Sequence, residues 1–154
     1  MKRIIIIILA VLSFNWTAFA QTPVESLISK YEDYKGVKVF FAEGAVMSMA
    51  RGYIRKSPMG PLADCVDAIT IMMMKKVTDD TKQSFAQDLR KTLKSYQFYG
   101  KKEGMDKSIV EVYGSPIKNG VVHELIVFNP EKYSLFSLRG SYSVAELKEL
   151  APTK

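Results

Sequence analysis

Residues 108–139 read SIVEVYGSPIKNGVVHELIVFNPEKYSLFSLR, and their pattern of strands and turns is the strongest indication of architecture in the chain. Three runs in it, Ser108–Tyr113, Val121–Phe128 and Ser134–Arg139, are rich in β-branched and aromatic residues and are predicted strands. Asn119-Gly120 separates the first two and is the residue pair of a two-residue hairpin, because both positions tolerate positive φ. Asn129-Pro130 marks the turn before the third. Strands joined by such short connections run antiparallel. A further strand is predicted just upstream, at Tyr96–Lys101.

Moving toward the N-terminus, Ala68–Met74 reads as another strand. Ile69, Ile71 and Met73 point to one side, and Ala68, Thr70, Met72 and Met74 to the other. Both sets are mostly apolar, which predicts a central strand covered on both faces. Val37–Phe41 is a short β-branched and aromatic strand.

Helices fill the gaps. Thr22, Pro23 and Glu25 form a capping box with proline at the first helical position. Val24, Leu27, Ile28 and Tyr31 then recur on one helical face, and Gly36 is the expected C-terminal cap. A second helix is predicted over 44–56, with Val46, Met49, Ala50 and Tyr53 as its buried stripe and Arg51 and Arg55 on its wet side. Gly52 inside it costs about 1 kcal/mol against alanine, which predicts close packing there. Ser57-Pro58 stops it, and residues 58–66 are a loop. A third helix is predicted over 79–96, started by Asp79 and Asp80 and buried through Phe85, Leu89, Leu93 and Tyr96. A short last helix begins at Ser143, where Ser143 and Glu146 make a capping box and Tyr142 with Leu147 a hydrophobic staple.

This order predicts an α+β domain. Five to six strands form a largely antiparallel sheet, a mixed sheet being the alternative, with three main helices and a short C-terminal helix packed on it.

Residues 1–20 have the pattern of a secretory signal peptide. Lys2 and Arg3 are its charged start, Ile4–Leu12 its apolar core, and Ala18-Phe19-Ala20 its cleavage site, with Gln21 the new N-terminus. The apolar run is about half the ~20 residues of a spanning helix. Residues 21–154 are expected to form one periplasmic or secreted domain with no membrane span after cleavage. The chain carries 22 Lys+Arg against 16 Asp+Glu, a net charge of +6 that includes Lys2 and Arg3. The remaining basic residues are scattered pairs, Arg55-Lys56, Lys75-Lys76, Arg90-Lys91 and Lys101-Lys102, rather than the concentrated stripe of a nucleic-acid footprint.

The chemistry suggested by single residues is sparse. One cysteine and one histidine exclude an internal disulfide framework and a two-histidine metal site. Cys65 reads as a buried inert thiol beside Leu62 and Val66, since nothing nearby signals a lowered pKa. His123 reads as a half-buried strand residue sharing a face with Val121, Leu125 and Val127. Met47/Met49 and Met72/Met74 have the M-x-M spacing of soft Cu(I) ligands. Residues two apart on a helix do not face each other, however, and methionine is also an adaptable core filler. Asp64 and Asp67 lack a calcium-loop ladder. No phosphate loop, nucleophile elbow or zinc-protease helix is present. No catalytic, cofactor-binding or metal-binding residue is assigned.

Several stretches carry a resemblance. Leu27-Ile28 and Tyr31 stand before Gly36 and the strand Val37–Phe41. The apolar strand Ile69–Met73 precedes the Phe85/Leu89/Leu93 helix. Glu124-Leu125-Ile126-Val127, then Ser137-Leu138-Arg139-Gly140, precede the helix at Leu147. In these features, over nearly all of residues 22–150, the chain resembles a family of small exported proteins of Gram-negative gut bacteria known as a domain of unknown function. The proline-rich segment 58–61 departs from that pattern. The resemblance implies an envelope protein and carries over no catalytic residue. The leading expectation is an exported, non-enzymatic module that binds an envelope protein or other cell-surface component. The alternatives are an enzyme with a dispersed site around His123 and Glu124, and methionine-based Cu(I) handling.

Overall fold

A computed structural model describes residues 21–148 and Leu150. The leader and its cleavage site lie outside these residues. Six strands, β1 (Lys38–Glu43), β2 (Val66–Met73), β3 (Gln97–Glu103), β4 (Ile109–Gly114), β5 (Val121–Asn129) and β6 (Ser134–Ser143), form one sheet in the order β1-β2-β6-β5-β4-β3. Every neighbouring pair is antiparallel. Among the described residues four α-helices accompany it: α1 (Pro23–Tyr31), α2 (Met47–Arg55), α3 (Asp79–Thr92) and α4 (Val144–Lys148). The fold is therefore α+β with an antiparallel sheet, as the sequence predicts.

The β4–β5 connection turns at Asn119-Gly120, where φ is +52° and +76°, and Lys118 bridges Val121 across it. Asn129 makes the β5–β6 turn by accepting from the backbone N–H groups of Glu131 and Lys132 through its Oδ1. Both end capping boxes form. Thr22 and Glu25 exchange side-chain-to-backbone bonds at the start of α1, and Ser143 and Glu146 do so at α4. Each satisfies two backbone donors that a helix start leaves unpaired.

The back of the sheet is covered by α1 and α3. Val24, Leu27, Ile28 and Tyr31 meet Phe85, Leu89 and Leu93 there, over Met72, Ile126, Phe128 and Leu135 of the strands. Tyr31 and Phe85 pack edge to face, with ring centroids 5.3 Å apart. The two helices are also joined by charge. Asp88 of α3 accepts from Lys30 Nζ and from Tyr31 Oη of α1, each at 2.7 Å. The Lys30 and Tyr31 hydrogen bonds hold the Asp88 carboxyl below its usual range, while burial and the same carboxylate push the Tyr31 phenol up. A depressed folded-state pKa contributes stability above the unfolded value of about 4 and loses it as pH falls through the folded one. Asp88→Asn is expected to cost about 1 kcal/mol at neutral pH. In paired thermal melts, its deficit against wild type should shrink on going from pH 7 to pH 3. A deficit that stays constant would refute the charge-based account.

The front is covered unevenly. At one end Val112, Val122, Leu125 and Tyr142 pack against α4 through Leu147 and Leu150. At the other, α2 and the 3-10 segment Gly60–Cys65 place Met47, Ile54, Met59 and Leu62 over Ile69 and Leu138.

Several sequence readings are corrected here. The residues 46, 49 and 53 of the expected buried stripe of α2 point outward: Val46, Met49 and Tyr53 are 58, 75 and 72 % exposed. Met47 and Ile54, about a quarter-turn round the helix from that stripe, are the buried pair. Arg51, assigned to the wet side, is half-buried and donates to Val66 O at 3.0 Å, fixing the head of β2. Gly52 faces open space, so no close packing explains it. Gly36 lies beyond the end of α1 in a turn with φ +91°, where a Cβ would stand 2.6 Å from Lys76 O, and the helix is capped instead by Glu32 in ordinary helical conformation. The third helix changes to a 3-10 turn at Leu93–Ser95.

Candidate functional site

The uneven front leaves a cleft. It lies between α2 and the sheet, has a volume of about 570 Å³, and is walled by Ala42, Ala50, Ile71, Met73, Val110 and Phe136 among others. The size falls within the ~300–1,000 Å³ of small-molecule sites. Its origin is local. Strand alternation sends Ile69, Ile71 and Met73 to the front of β2, and Ser134, Phe136 and Leu138 to the front of β6. β1 and α2 contribute alanines, Ala42 and Ala50, where larger side chains would close the space. The front of β2 is covered only in part: Ile69 is buried under α2, Ile71 is half-buried and Met73 is exposed, so the last two form a wall of the cleft.

Polar groups gather at one end of the cleft. Asn129 Nδ2 donates to Ser108 Oγ at 2.7 Å, Ser108 Oγ donates to Asp106, and Lys132 pairs with Asp106. These groups satisfy one another and tie the β3–β4 turn to the β5–β6 turn. Lys75 stands at the mouth and makes no ion pair among the described residues. The cleft is thus an apolar trough with a self-satisfied polar end.

The residues singled out from sequence are scattered. A β-bulge between Val122 and Glu124 breaks the alternation of β5. Val122 therefore joins Leu125 in the front core, and His123 is pushed out to solvent with Nδ1 3.3 Å from Gly140 O. This corrects the half-buried placement of His123. Glu124 lies on the back and is 1 % exposed. Its carboxyl group accepts from Thr22 Oγ1 at 2.7 Å, from Ser137 Oγ at 3.0 Å, and from Tyr96 Oη. Burial and the neighbouring Glu124 push the Tyr96 phenol up. His123 and Glu124 point to opposite sides and form no joint acid–base site. Glu124 is a structural acceptor that unites α1, β5, β6 and the segment after α3.

Cys65 ends the 3-10 segment with its thiol 3.4 Å from Glu146 Oε1. Burial and that carboxylate push the thiol pKa up, which makes it a poorer nucleophile. The methionine pairs divide as the physics of their spacing requires. Met47 is buried and Met49 exposed, while Met72 and Met74 both fill the back core. No cluster of three or more His, Cys, Asp or Glu side chains fit to hold a metal occurs among the described residues. No helix of the described residues is long and apolar enough to cross a membrane.

The cleft itself escaped the sequence reading. Its signal was the alternation of Ile69, Ile71 and Met73, which reports an apolar face without reporting what covers it. No protein-family model, curated protein or solved structure matches the chain.

Proposed function

We propose that the protein is an exported, non-enzymatic binding module that holds the apolar part of an envelope component, such as a lipid chain, in the front cleft. One observation carries the reading: a trough of about 570 Å³ whose wall is apolar side chains from β1, β2, β4, β6 and α2. Burial of apolar surface is favourable at about 25 cal/mol per Å², so such a wall gains most from an apolar occupant. The polar groups at its end are already paired with one another, which suits a site that holds rather than transforms. The leader, with Lys2-Arg3, the Ile4–Leu12 run and Ala18-Phe19-Ala20, supports export across the inner membrane and release after Ala20.

The test is titration with N-phenyl-1-naphthylamine, a dye that brightens in apolar surroundings. Saturable enhancement at one site per chain is expected. Ala50→Phe, which fills the trough from α2, should weaken that binding at least about tenfold while leaving the far-UV circular dichroism unchanged. Equal dye affinity in the two proteins would place the apolar site elsewhere and overturn the proposal.

A further inference from the structure

The two edges of the sheet are built differently. An unpaired strand edge offers a row of N–H and C=O groups to any other strand, and proteins blunt such edges with lysines, bulges or proline. The β3 edge follows this rule. Lys101 and Lys102 stand on it, and a bulge at Phe98–Gly100 breaks its register. The β1 edge does not. Lys38-Val39-Phe40-Phe41-Ala42-Glu43 pairs with β2 in unbroken register, carries no proline, and keeps its charges at its two ends. At its middle Phe40 and Phe41 are 53 and 54 % exposed. Phe41 is already engaged on the back, where the Arg139 guanidinium lies 5.8 Å from its ring centre. Phe40, on the front, has no such partner among the described residues.

The charge pattern selects the occupant. β1 is positive at its start and negative at its end. Antiparallel pairing with an identical strand sets the Lys38 end of each beside the Glu43 end of the other, whereas parallel pairing would set like charges together. A two-fold axis perpendicular to the sheet keeps each face continuous, so residues of the same face must meet across it. Centred on Phe40, this axis pairs Phe40 with the second copy's Phe40, Val39 with Phe41, and Lys38 with Ala42. It also puts the two α2 helices on the same face, on either side of the axis.

We propose that the β1 edge docks a second copy of this chain, joining two sheets into one through antiparallel β1 pairing centred on Phe40. The proposal stands independently of what the cleft holds. Sedimentation velocity of the purified protein in the micromolar range is expected to show a dimer. Phe40→Lys should weaken dimerisation at least about tenfold, since a like charge is placed opposite itself at the axis, while the circular dichroism stays native. In a Cys65→Ser background, Phe40→Cys should oxidise to a disulfide-linked dimer, because directly opposed residues bring their Cβ atoms to about 5 Å. Phe98→Cys, on the defended edge, should not. A wild type that stays monomeric into the high-micromolar range, or a folded Phe40→Lys variant that dimerises as tightly as wild type, overturns the proposal. Cross-linking through Phe98→Cys in preference to Phe40→Cys would overturn it as well.

Discussion

Gly140→Ala is expected to lower the melting temperature by about 10 °C or to prevent folding. Gly140 lies in β6 opposite Val66, where the chain enters β2 through an irregular step in the register. A Cβ at this position would stand 1.9 Å from Cys65 O and 3.0 Å from its carbonyl carbon. Both obstacles are backbone, so no side-chain rotation can relieve them. The segments must separate, and the β2–β6 pairing at the centre of the sheet is weakened with them. Forced overpacking of this kind costs about 3 kcal/mol. Gly52→Ala is the matched control. Its Cβ would meet nothing within 4 Å, and alanine in a helix is better than glycine by up to about 1 kcal/mol, so the control should hold or raise the melting temperature. Equal melting temperatures for Gly140→Ala and wild type would contradict the close approach of the two backbones.

The second large effect concerns Glu124. Its side chain is buried and accepts from three hydroxyl groups, those of Thr22, Tyr96 and Ser137. Glu124→Ala removes both carboxyl oxygens and leaves three hydroxyl donors without their acceptor in a site from which water is excluded. Buried groups without partners cost about 1–3 kcal/mol each, so the substitution is expected to destabilise by about 3 kcal/mol even after partial relaxation. Glu124→Gln keeps one acceptor oxygen and supplies donors that rotated hydroxyls can accept, so its loss should be smaller. The stability order in urea unfolding should be wild type, then Gln, then Ala. Because Thr22 is the N-cap of α1, amide exchange across Pro23–Tyr31 should also accelerate in Glu124→Ala. If Glu124→Ala proves as stable as wild type, the hydroxyl cluster is not what holds α1 to the sheet.

Glu124 also shows where a sequence stops being informative. Thr22 lies 102 residues from it, Tyr96 28 and Ser137 13. Nothing local marks them as partners, and so Glu124 reads as half of a site with His123. The bulge beside it explains the other half of that error. Strand alternation has a period of two; across the bulge β6 takes three steps, Tyr142 to Arg139, against two in β5, Val122 to Glu124, so paired residues keep a common face only if β5 departs from that period. Val122 goes in and His123 comes out, although the run Val121–Phe128 carries no residue that announces the irregularity.

The helix α2 makes the same point through a different period. Met49, Ala50 and Tyr53 do share one side of it, as the spacing predicts, with Val46 in the 3-10 turn just before it. Periodicity shows that a face is apolar; whether another element covers it is settled only when the elements dock. Met47 and Ile54 dock on the sheet instead, the Val46/Met49/Tyr53 strip is left outward, and Ala50 lines the cleft.

The features legible in the residues alone are local. Capping at Thr22 and Ser143, the buried faces of α1 and α3, the turns at Asn119-Gly120 and Asn129-Pro130, and hence an antiparallel α+β architecture all rest on interactions within a few residues. Such interactions are written in neighbouring side chains and do not depend on how distant elements dock. The tertiary structure alone decided which strands became edges, which apolar faces stayed open, where the bulge turned β5, and that a carboxyl group would be buried among hydroxyls. Those outcomes depend on distances between residues far apart in the chain, and on which of several apolar surfaces found a partner first in free energy.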